Sequence, residues 1–364
     1  MRKAVILFLV VLLLPIPALA GGFCRTVSKA PAPEDVSPVV CDYTGEVRIT
    51  FLGDCTLGGE SPSRYPTLDF ARRIADNGLE FPFRELRKLT EADDLTVANL
   101  EGVLTDRKLQ KQEKKFNFKG PSSYTEILTL GSVECVTLAN NHSHDYGTGG
   151  YKDTKAALEN AGICWFDTSS SAIWESEGGL RIGFIGVSGS LSGNREKTFR
   201  TQAQRLEAYG CAAVITVMHA GEEYSYSPPD SYQKQITKRA VPYSDLIIGH
   251  HPHVVQGYTV ISGVPVVYSL GNCVFGGNTF AKDPDALAVQ AVLHFTVGEL
   301  DRIDLHFFPI SITSDRHYNN YSPQLLDGKD AERVLKKMKD STGMDPGPWD
   351  AAEGAVVSFS PGAP

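Results

Sequence analysis

Five apolar segments of this chain each end in a short polar cluster, and this arrangement constrains the fold more than any other feature. Three clusters, 139–145, 218–221 and 249–253, contain six of the nine histidines, and two further segments end in a carboxylate, Asp54 or Glu101. Ligands of open α/β sheets bind outside the carboxyl ends of the strands, so we expect these groups to share one site. Carboxylate, amide and imidazole groups together suit Mn, Fe or Zn. The sequence therefore predicts a site for one or two divalent metal ions at strand ends.

The spacing of apolar residues predicts an α/β fold. Short runs rich in valine and isoleucine favour strands, and they alternate with loops and helical stretches. The predicted strands are 47–52, 95–98, 135–138, 181–187, 213–218, 246–248 and 264–269. Helical spacing and stop signals predict helices at 147–162, 231–241 and 331–339. Alternation around Gly298 predicts a hairpin of 286–297 with 302–308. A mixed sheet, or two stacked sheets with helices outside, satisfies this order.

The two ends of the chain differ in composition from its middle. Residues 1–20 have the charged start, apolar run and small-residue cleavage pattern of a secretory signal peptide. An uncleaved N-terminal anchor is the alternative. We expect residues 21–45 to be a linker, 46–314 the main domain, and 315–364 a C-terminal extension whose tail from 343 is partly disordered. The protein is therefore expected to be exported to the periplasm, the cell surface or the extracellular space.

Charge and cysteine content exclude some functions. A net charge of −8 and a pI of about 5.6 do not favour a nucleic acid as partner. No Cys-x-x-Cys pair occurs, so a zinc site made of thiolates is not expected. Cys24 and Cys41 flank a proline-rich stretch and are either a disulfide or free thiols. Cys135, Cys164 and Cys211 lie in apolar runs and are expected to be buried free thiols.

Asp54 and Glu101 each follow a predicted strand, and we predict both as metal ligands. The alternative role of Asp54 is a helix N-cap, and that of Glu101 is a solvated acid at a strand end. Asn99 points to the same side as Glu101 in an extended chain, because side chains alternate along a strand. Asn99 is therefore a candidate substrate-binding residue, with metal ligand as the alternative role.

The segment Asn140-Asn141-His142, followed by Asp145, carries groups for metal binding and proton transfer. We predict Asn141 as a metal ligand, His142 as the general acid, and Asp145 as the carboxylate that orients its imidazole. Asn140 is a candidate substrate-binding residue. A turn with left-handed backbone would also explain two consecutive asparagines, and it is compatible with these roles.

The remaining predicted ligands are histidines. His251 and His253 form a His-x-His pair, whose rings project to one side of an extended segment. His219 ends an apolar strand and is predicted as a further ligand, although a lone histidine there is more often a core residue. His250 is expected to point away, towards packing or a supporting partner. The acids 222 and 223 are expected only to support the ligands.

Together these segments resemble the bacterial poly-γ-glutamate capsule-synthesis protein family, often called the CapA family, over residues 47–275. The resemblance rests on the order and intervals of six motifs. They are Gly53-Asp54, Asn99-Leu100-Glu101-Gly102, Leu138-Ala139-Asn140-Asn141-His142, His219 with Gly221, Gly249-His250-His251-Pro252-His253, and Tyr268-Ser269-Leu270-Gly271-Asn272.

That family is placed in the calcineurin-like metallophosphoesterase superfamily, so the resemblance implies a four-layer α/β/β/α sandwich with one or two metal ions. It also implies that 46–314 is a metallophosphoesterase-like capsule-synthesis domain in which His142 is the catalytic histidine. Asn272 is a candidate substrate-binding residue. The metal-site positions that the resemblance implies are Asp54, Glu101, Asn141, His219, His251 and His253.

Three positions depart from the family pattern. Thr56 stands where the superfamily usually has the histidine of an Asp-x-His motif, which predicts a weaker or missing metal position. Ala220 stands where the family often has tryptophan, and Cys273 where it often has phenylalanine. Substrate shape is therefore expected to differ more than the fold.

The expected function is that of an exported, metal-dependent hydrolase of the cell envelope, acting on an anionic polymer or a phosphoester. The resemblance implies a role in making, releasing or anchoring a polymer such as poly-γ-glutamate, alongside membrane-associated polymer-synthesis proteins. The basic run 107–119 is either a solvated loop or a surface that steers an anionic substrate. No Gly-x-x-x-x-Gly-Lys motif is present, so this chain is not expected to be an ATP-driven ligase. The alternatives are a non-catalytic subunit that binds polymer or partner proteins, and a general phosphodiesterase.

Overall fold

The computed structural model of the protein describes residues 22–31 and 41–361. The predicted signal segment, 1–20, lies outside the described residues. Within them strands and helices alternate along most of the chain, which confirms the predicted α/β class.

The strands in chain order are β1 (Gly22–Val27), β2 (Gly45–Thr56), β3 (Leu95–Leu100), β4 (Val103–Leu104), β5 (Lys119–Gly120), β6 (Cys135–Thr137), β7 (Cys164–Phe166), β8 (Ser171–Ser176), β9 (Arg181–Ser188), β10 (Ala213–His219), β11 (Leu246–His250), β12 (Val255–Ile261), β13 (Val264–Leu270), β14 (Asn272–Phe275), β15 (Asp285–Thr296), β16 (Glu299–Ser311), β17 (Gln324–Leu325) and β18 (Ala355–Phe359). The α-helices are α1 (Phe70–Asn77), α2 (Arg87–Thr90), α3 (Thr125–Leu130), α4 (Gly147–Asn160), α5 (Asn194–Ala208), α6 (Ser231–Ala240) and α7 (Gly328–Thr342).

The first sheet has the strand order β1-β8-β9-β10-β11-β13-β12. Its central strands β9, β10, β11 and β13 run parallel, and the flanking strands pair antiparallel. Strand β10 is a nearly continuous apolar run, and almost all of it is buried. Such runs are typical of parallel strands in a sheet covered on both faces.

The second sheet has the order β17-β16-β15-β2-β3-β6-β7, with β14 beside β2 and β18 beside β16. Strands β2, β3, β6 and β7 run parallel. The long hairpin β15–β16 extends the sheet antiparallel to β2. Strand β14 runs parallel to β2 and places Asn272 next to Asp54.

One hydrophobic core fills the space between the two sheets. Val47, Ile49 and Phe51 alternate along β2 and share this core with Ile215 and Val217 of β10. Alternate residues of a strand face the same side, so this spacing directs one face of β2 at the other sheet. The two sheets are therefore joined by apolar side chains from both.

Helices cover the opposite face of each sheet. Phe199 of α5 and Ile236 of α6 pack with strands of the first sheet in a second core. Phe70 of α1, Ile127 of α3 and Leu158 of α4 pack with strands of the second sheet in a third. Among the helices of the described chain, none combines the length and apolar character needed to cross a membrane.

Each predicted strand overlaps an observed strand, and the predicted hairpin is β15–β16. The predicted helices correspond to α4, α6 and α7. The patterns did not predict α5, because most of its surface is polar and only Phe199, Gln202, Ala203 and Leu206 are buried.

The structure corrects two expectations about the chain ends. The linker expected over 21–45 contains β1, which pairs with β8 along its whole length. The tail expected to be partly disordered from 343 contains β18, which pairs with β16. Both strands lack a strong alternating pattern, and the partner strand's hydrogen bonds determine their conformation.

Of the two states expected for Cys24 and Cys41, the structure has free thiols and no disulfide between them. Instead, the sulfur atoms of Cys24, Cys135 and Cys164 lie within 4.8 Å of one another. Cys135 and Cys164 are buried free thiols, as predicted, whereas Cys211 is only partly buried.

We expect truncation after Thr342 to lower the free energy of unfolding by about 3 kcal/mol, because it removes β18 and leaves a buried hydroxyl unpaired. The hydroxyl of Tyr258 donates to the carbonyl of Asp345 at 2.7 Å. Urea denaturation would measure the loss, with Met344→Ala, an exposed residue in the same segment, as the control. A truncated chain as stable as the full chain would contradict this role for the C-terminal segment.

Candidate metal centre

The carboxyl ends of strands from both sheets meet at one place. Asp54 lies in β2 and Glu101 directly follows β3, both in the second sheet, whereas His219 ends β10 of the first sheet. All three side chains are almost completely buried. The structure thus brings together the six residues that were predicted as metal ligands, namely Asp54, Glu101, Asn141, His219, His251 and His253.

Gly53 allows β2 to approach the backbone of Gly271 closely at the edge where the candidate ligands meet. A Cβ added at Gly53 would lie 2.3 Å from the carbonyl oxygen of Gly271, which is a steric clash. The amide of Asp54 donates to the same oxygen at 3.0 Å. The glycine therefore permits the close backbone contact that holds Asp54 at the strand end.

Asp54, Glu101 and His219 form the first group of candidate ligands. One ligand atom from each residue lies within 4.8 Å of the other two. Both carboxylate oxygens of Glu101 are buried without a hydrogen-bond partner among the described residues. A buried carboxylate without a partner is costly unless it holds a proton or binds a cation. Two carboxylates and one imidazole suit a divalent transition metal, so these residues fit such an ion.

Glu223, His251 and His253 form the second group, with ligand atoms that also lie within 4.8 Å of one another. The Nδ1 atom of His251 is buried and lacks a hydrogen-bond partner within the described chain. His251 and His253 have φ angles of 99° and 58°. This conformation costs non-glycine residues on the order of 1–3 kcal/mol each, and such strain concentrates at functional sites.

Asp54 connects the two groups. Its Oδ2 atom lies 3.1 Å from Nδ1 of His253 and accepts from the backbone amide of His251 at 3.3 Å. His250 was expected to point away, but its Nδ1 atom lies 3.3 Å from Oδ1 of Asp54. Histidines of the first sheet therefore surround a carboxylate of the second.

The three asparagines predicted to bind substrate contact the candidate ligands or one another. Asn99 donates to Oδ1 of Asp54 at 2.7 Å, and Asn140 donates to Oδ1 of Asn99 at 2.9 Å. Oδ1 of Asn272 lies 2.9 Å from Nδ1 of His253. These buried amides orient the carboxylate and the imidazole, and their contact with substrate stays a prediction.

The hydrogen bonds of His219 are those of a neutral imidazole. Its Nε2 atom lies 2.8 Å from Oδ1 of Asn141, and its Nδ1 atom lies 3.2 Å from Nδ2 of Asn99. A ring with its proton on Nε2 donates to the first and accepts from the second. Burial, followed by the charge of His251, holds the pKa of His219 well below its ordinary value. The ring is thus neutral, as metal binding requires.

The pKa values of the ionisable groups in the centre depend strongly on one another. Burial, followed by the charge of Asp54, raises the pKa of Glu101 to about 8. Burial opposes ionisation of Asp54 as well, but contacts with His250 and His253 hold the pKa of Asp54 well below its usual range. Burial acts to lower the pKa of His253, yet Glu101 and Asp54 raise it to about 9. The raised pKa values of Glu101 and His253 mean that the metal-free centre holds protons more tightly than free side chains do, and binding of a divalent ion would release protons.

His142 is held rigidly at the edge of the first group. Its Nδ1 atom lies 2.7 Å from Oδ2 of Asp145, which also accepts from the amide of Phe118 at 2.6 Å. Lys114 forms an ion pair with Asp145 and lies 3.3 Å from Nδ1 of His142. The Nε2 atom of His142 faces Glu101, with 3.7 Å to Oε1. The imidazole is therefore aimed at the candidate ligands by a carboxylate behind it.

Two recesses lie at or beside the centre. A cleft of about 140 Å³ is lined by Asn141, His219 and His251. A larger cavity of about 480 Å³ is lined by Lys119 and Gly276, among others. These two residues follow Phe118 and Phe275, whose rings pack against His142 and His253. The lining of the larger cavity is thus joined along the chain to residues that contact two histidines of the centre.

Two residues of the centre were not identified individually from the sequence. Glu223 was expected only to support the ligands, yet it lies among them; its position four residues after His219 was the available signal. Lys114 appeared only as part of the basic run 107–119. Its role depends on a contact with Asp145 that is distant in sequence.

Two sheets that place buried carboxylates and imidazoles at one edge define an α/β protein with groups that could hold metal ions. The family model described as bacterial capsule synthesis protein PGA_cap matches residues 48–277, and the chain belongs to this family. The resemblance inferred from the sequence motifs is thereby confirmed.

Two similar proteins have names that refer to capsule or PGA biosynthesis. Capsule biosynthesis protein CapA of Bacillus anthracis is 28% identical over 280 residues, covering 69% of this chain and 65% of that protein. The match thus spans just under two thirds of that relative. PGA biosynthesis protein CapA of Bacillus subtilis (strain 168) is 27% identical over 293 residues, covering 74% of this chain and 75% of that protein. A solved structure, TT1561 of Thermus thermophilus, gives a TM-score of 0.39 at 9% identity, covering 71% of this chain and 98% of that one.

We expect Glu101→Gln to stabilise the metal-free protein. The pKa of Glu101 in the fold, about 8, exceeds its ordinary value of 4.5, so ionisation increasingly favours unfolding as pH rises between these values. The amide lacks this effect, and at pH 7 the gain could reach about 3 kcal/mol, since one pKa unit corresponds to about 1.4 kcal/mol.

Urea denaturation of chelator-treated protein at pH 5 and pH 7 would measure the difference, which should be larger at pH 7. Glu113→Gln changes an exposed acid and serves as the control. A Glu101→Gln protein with no gain at either pH would contradict the buried, uncompensated state of this carboxyl group.

Proposed function

We propose that the protein is an exported, metal-dependent hydrolase of the cell envelope that acts on an anionic polymer or a phosphoester. The observation that carries this proposal is Glu101, whose buried oxygens find no partner in the described chain and lie beside Asp54 and His219. Such a group lowers stability, so its placement is best explained by a bound cation. The names of the Bacillus relatives support an anionic polymer as the substrate.

We also infer a four-layer α/β/β/α sandwich of the calcineurin-like metallophosphoesterase type. Two observations support this finer assignment. Each sheet has helices on the face opposite the shared core. The candidate ligands lie at the carboxyl ends of parallel strands, where α/β sheets usually bind ligands.

The two ligand groups support one or two divalent ions, with Mn, Fe and Zn as the candidates. Asp54, Glu101 and His219 would hold one ion, with Asn141 beside His219. The second group, Glu223 with His251 and His253, would hold another. A bound ion would polarise a phosphoryl or acyl group and lower the pKa of a water molecule.

His142 is the residue that we infer to donate a proton to the leaving group. Asp145 accepts from Nδ1 at 2.7 Å, which leaves Nε2 on the side of the candidate ligands to hold the transferable proton. Lys114 balances the charge of Asp145, and the ring of Phe118 lies 4.4 Å from the imidazole. A ring fixed in this way can donate without reorganisation.

The larger cavity is the recess that we infer to bind the substrate. Arg64 and Lys119 line it and could contact anionic groups, although Glu60 and Asp69 line it as well. Lys114, whose Nζ atom lies 3.3 Å from Nδ1 of His142, adds a cation at the centre itself. We infer that local cations, rather than the net charge, orient the substrate.

A non-catalytic subunit that binds polymer or membrane-associated synthesis proteins is the second candidate function. Thr56 favours it, because this residue replaces the histidine of the superfamily's Asp-x-His motif. The buried hydroxyl of Thr56 has no hydrogen-bond partner in the described chain. One imidazole that the superfamily usually contributes is thus missing.

Elemental analysis tests the metal centre directly. We expect one or two Mn, Fe or Zn ions per chain in protein purified without chelator, and a clear loss in His253→Ala. The exposed neighbour His144 offers the matched control, and His144→Ala should keep its metal. Wild-type protein without metal even after reconstitution would favour the binding subunit over the hydrolase.

Activity tests the role of His142. We expect His142→Ala to slow hydrolysis of a chromogenic phosphodiester by about 10²–10⁴-fold with unchanged metal content, because general acid catalysis contributes this much. The variant His144→Ala should retain the wild-type rate. Equal rates for His142→Ala and wild type would contradict the proposed proton transfer, and no turnover with Mn, Fe or Zn would exclude a general phosphodiesterase.

A further inference from the structure

Three cysteines from the two sheets meet outside the candidate metal centre. Cys24 lies on β1 of the first sheet, and Cys135 and Cys164 lie on β6 and β7 of the second. Their sulfur atoms are all within 4.8 Å of one another. Cys135 is fully buried, Cys164 nearly so and Cys24 partly. None of them belongs to the ligand groups described above.

The surroundings of these thiols favour an uncharged state. All three pack in or against the apolar core between the sheets. Burial raises the pKa of the Cys24 and Cys135 thiols, so both favour the protonated form in the metal-free protein. A disulfide carries no charge and can be buried among apolar side chains without the cost of a buried charge.

The strand arrangement favours a disulfide between the two sheets over a disulfide within one sheet. Cys135 and Cys164 are register neighbours on parallel strands. Side chains of such neighbours stand side by side at the strand spacing of about 4.8 Å, more than the ~3.8 Å between Cβ atoms in a disulfide. The thiol of Cys24 approaches from the other sheet and is not restricted by this spacing.

Hydrogen bonds select Cys164 as the partner of Cys24. The hydroxyl of Thr26, two residues after Cys24, donates to the carbonyl of Trp165 at 2.5 Å and accepts from its amide at 3.1 Å. The same hydroxyl lies 3.7 Å from the sulfur of Cys164. Contacts with Cys135 and then Cys24 also hold the pKa of the Cys164 thiol well below its ordinary value. Strand β1 is thus fastened next to Cys164.

We propose that Cys24 and Cys164 form a disulfide that joins β1 of the first sheet to the edge strand β7 of the second. A small disulfide such as oxidised glutathione is the oxidant. The thiolate of the partly exposed Cys24 attacks the oxidant's disulfide and releases one of its thiolates, and the Cys164 sulfur then attacks Cys24 and releases the other. The two cysteines lose two electrons and two protons, and the oxidant is reduced to two thiols. Cys135 remains a thiol beside the new bond.

Peptide mapping tests this pairing on the full chain. The reduced protein is incubated with oxidised glutathione, quenched with acid, alkylated under denaturing conditions and digested with trypsin. The three cysteines fall in three different tryptic peptides, so each pairing gives its own mass. We expect a linked pair of peptides that contain Cys24 and Cys164. A Cys24 link to Cys135 or Cys41, a Cys135–Cys164 link, or no link among them would overturn the proposal.

Thermal denaturation provides a second measurement. The oxidised protein should melt about 5 °C or more above the reduced protein, because the bond closes a long loop of the unfolded chain. Cys24→Ser should abolish this difference. Cys41→Ser is the matched control and should preserve it, since the thiol of Cys41 lies beside the carbonyl of Gly178, at 3.9 Å, and outside the group of three thiols. Equal melting temperatures for oxidised and reduced wild-type protein would overturn the proposed link between the sheets.

Discussion

The buried carboxylate of Asp54 is the interaction on which the candidate centre depends. It accepts a hydrogen bond from Asn99 of its own sheet and from the backbone of His251 in the other. Removing such a charge from water costs several kcal/mol, which only close and well-placed partners offset. The histidines of the first sheet are therefore both candidate ligands and the counter-charge that allows Asp54 to be buried. Each depends on the others, so the centre forms as one unit with the packing of the two sheets.

The centre lowers the stability of the fold, and interactions elsewhere in the protein must offset this loss. Glu101 has no hydrogen-bond partner among the described residues, and His251 and His253 have strained backbone conformations. The apolar core between the sheets and the cores under the helices supply the necessary stability. Proteins with preorganised binding sites commonly combine a stable apolar core with a strained polar site.

Much of this arrangement could be predicted from the sequence because parallel strands have a simple geometry. Valine-rich runs such as 213–218 identify buried strands, and the polar residue after each run must lie at the common edge. Glu223 could not be assigned in this way, since it lies in a loop whose path depends on contacts of the folded chain. Asn140 was predicted as a candidate, but its partners were not, because its amide donates to Asn99 and to the carbonyl of Leu100 on the neighbouring strand β3. Strand β1 was missed because an edge strand with weak alternation is determined by its neighbour.

The division of the centre between the two sheets has a mechanical consequence. Asp54 and Glu101 belong to one sheet, whereas His219, His251 and His253 belong to the other, so a small sliding of one sheet over the other changes the distances between these two sets. An ion bound by both sets would resist this sliding, and by thermodynamic reciprocity a change in the packing of the sheets would alter the ion's affinity. Ile215 and Phe51, which pack in the core between the sheets, therefore help to set the relative position of the sheets on which those distances depend.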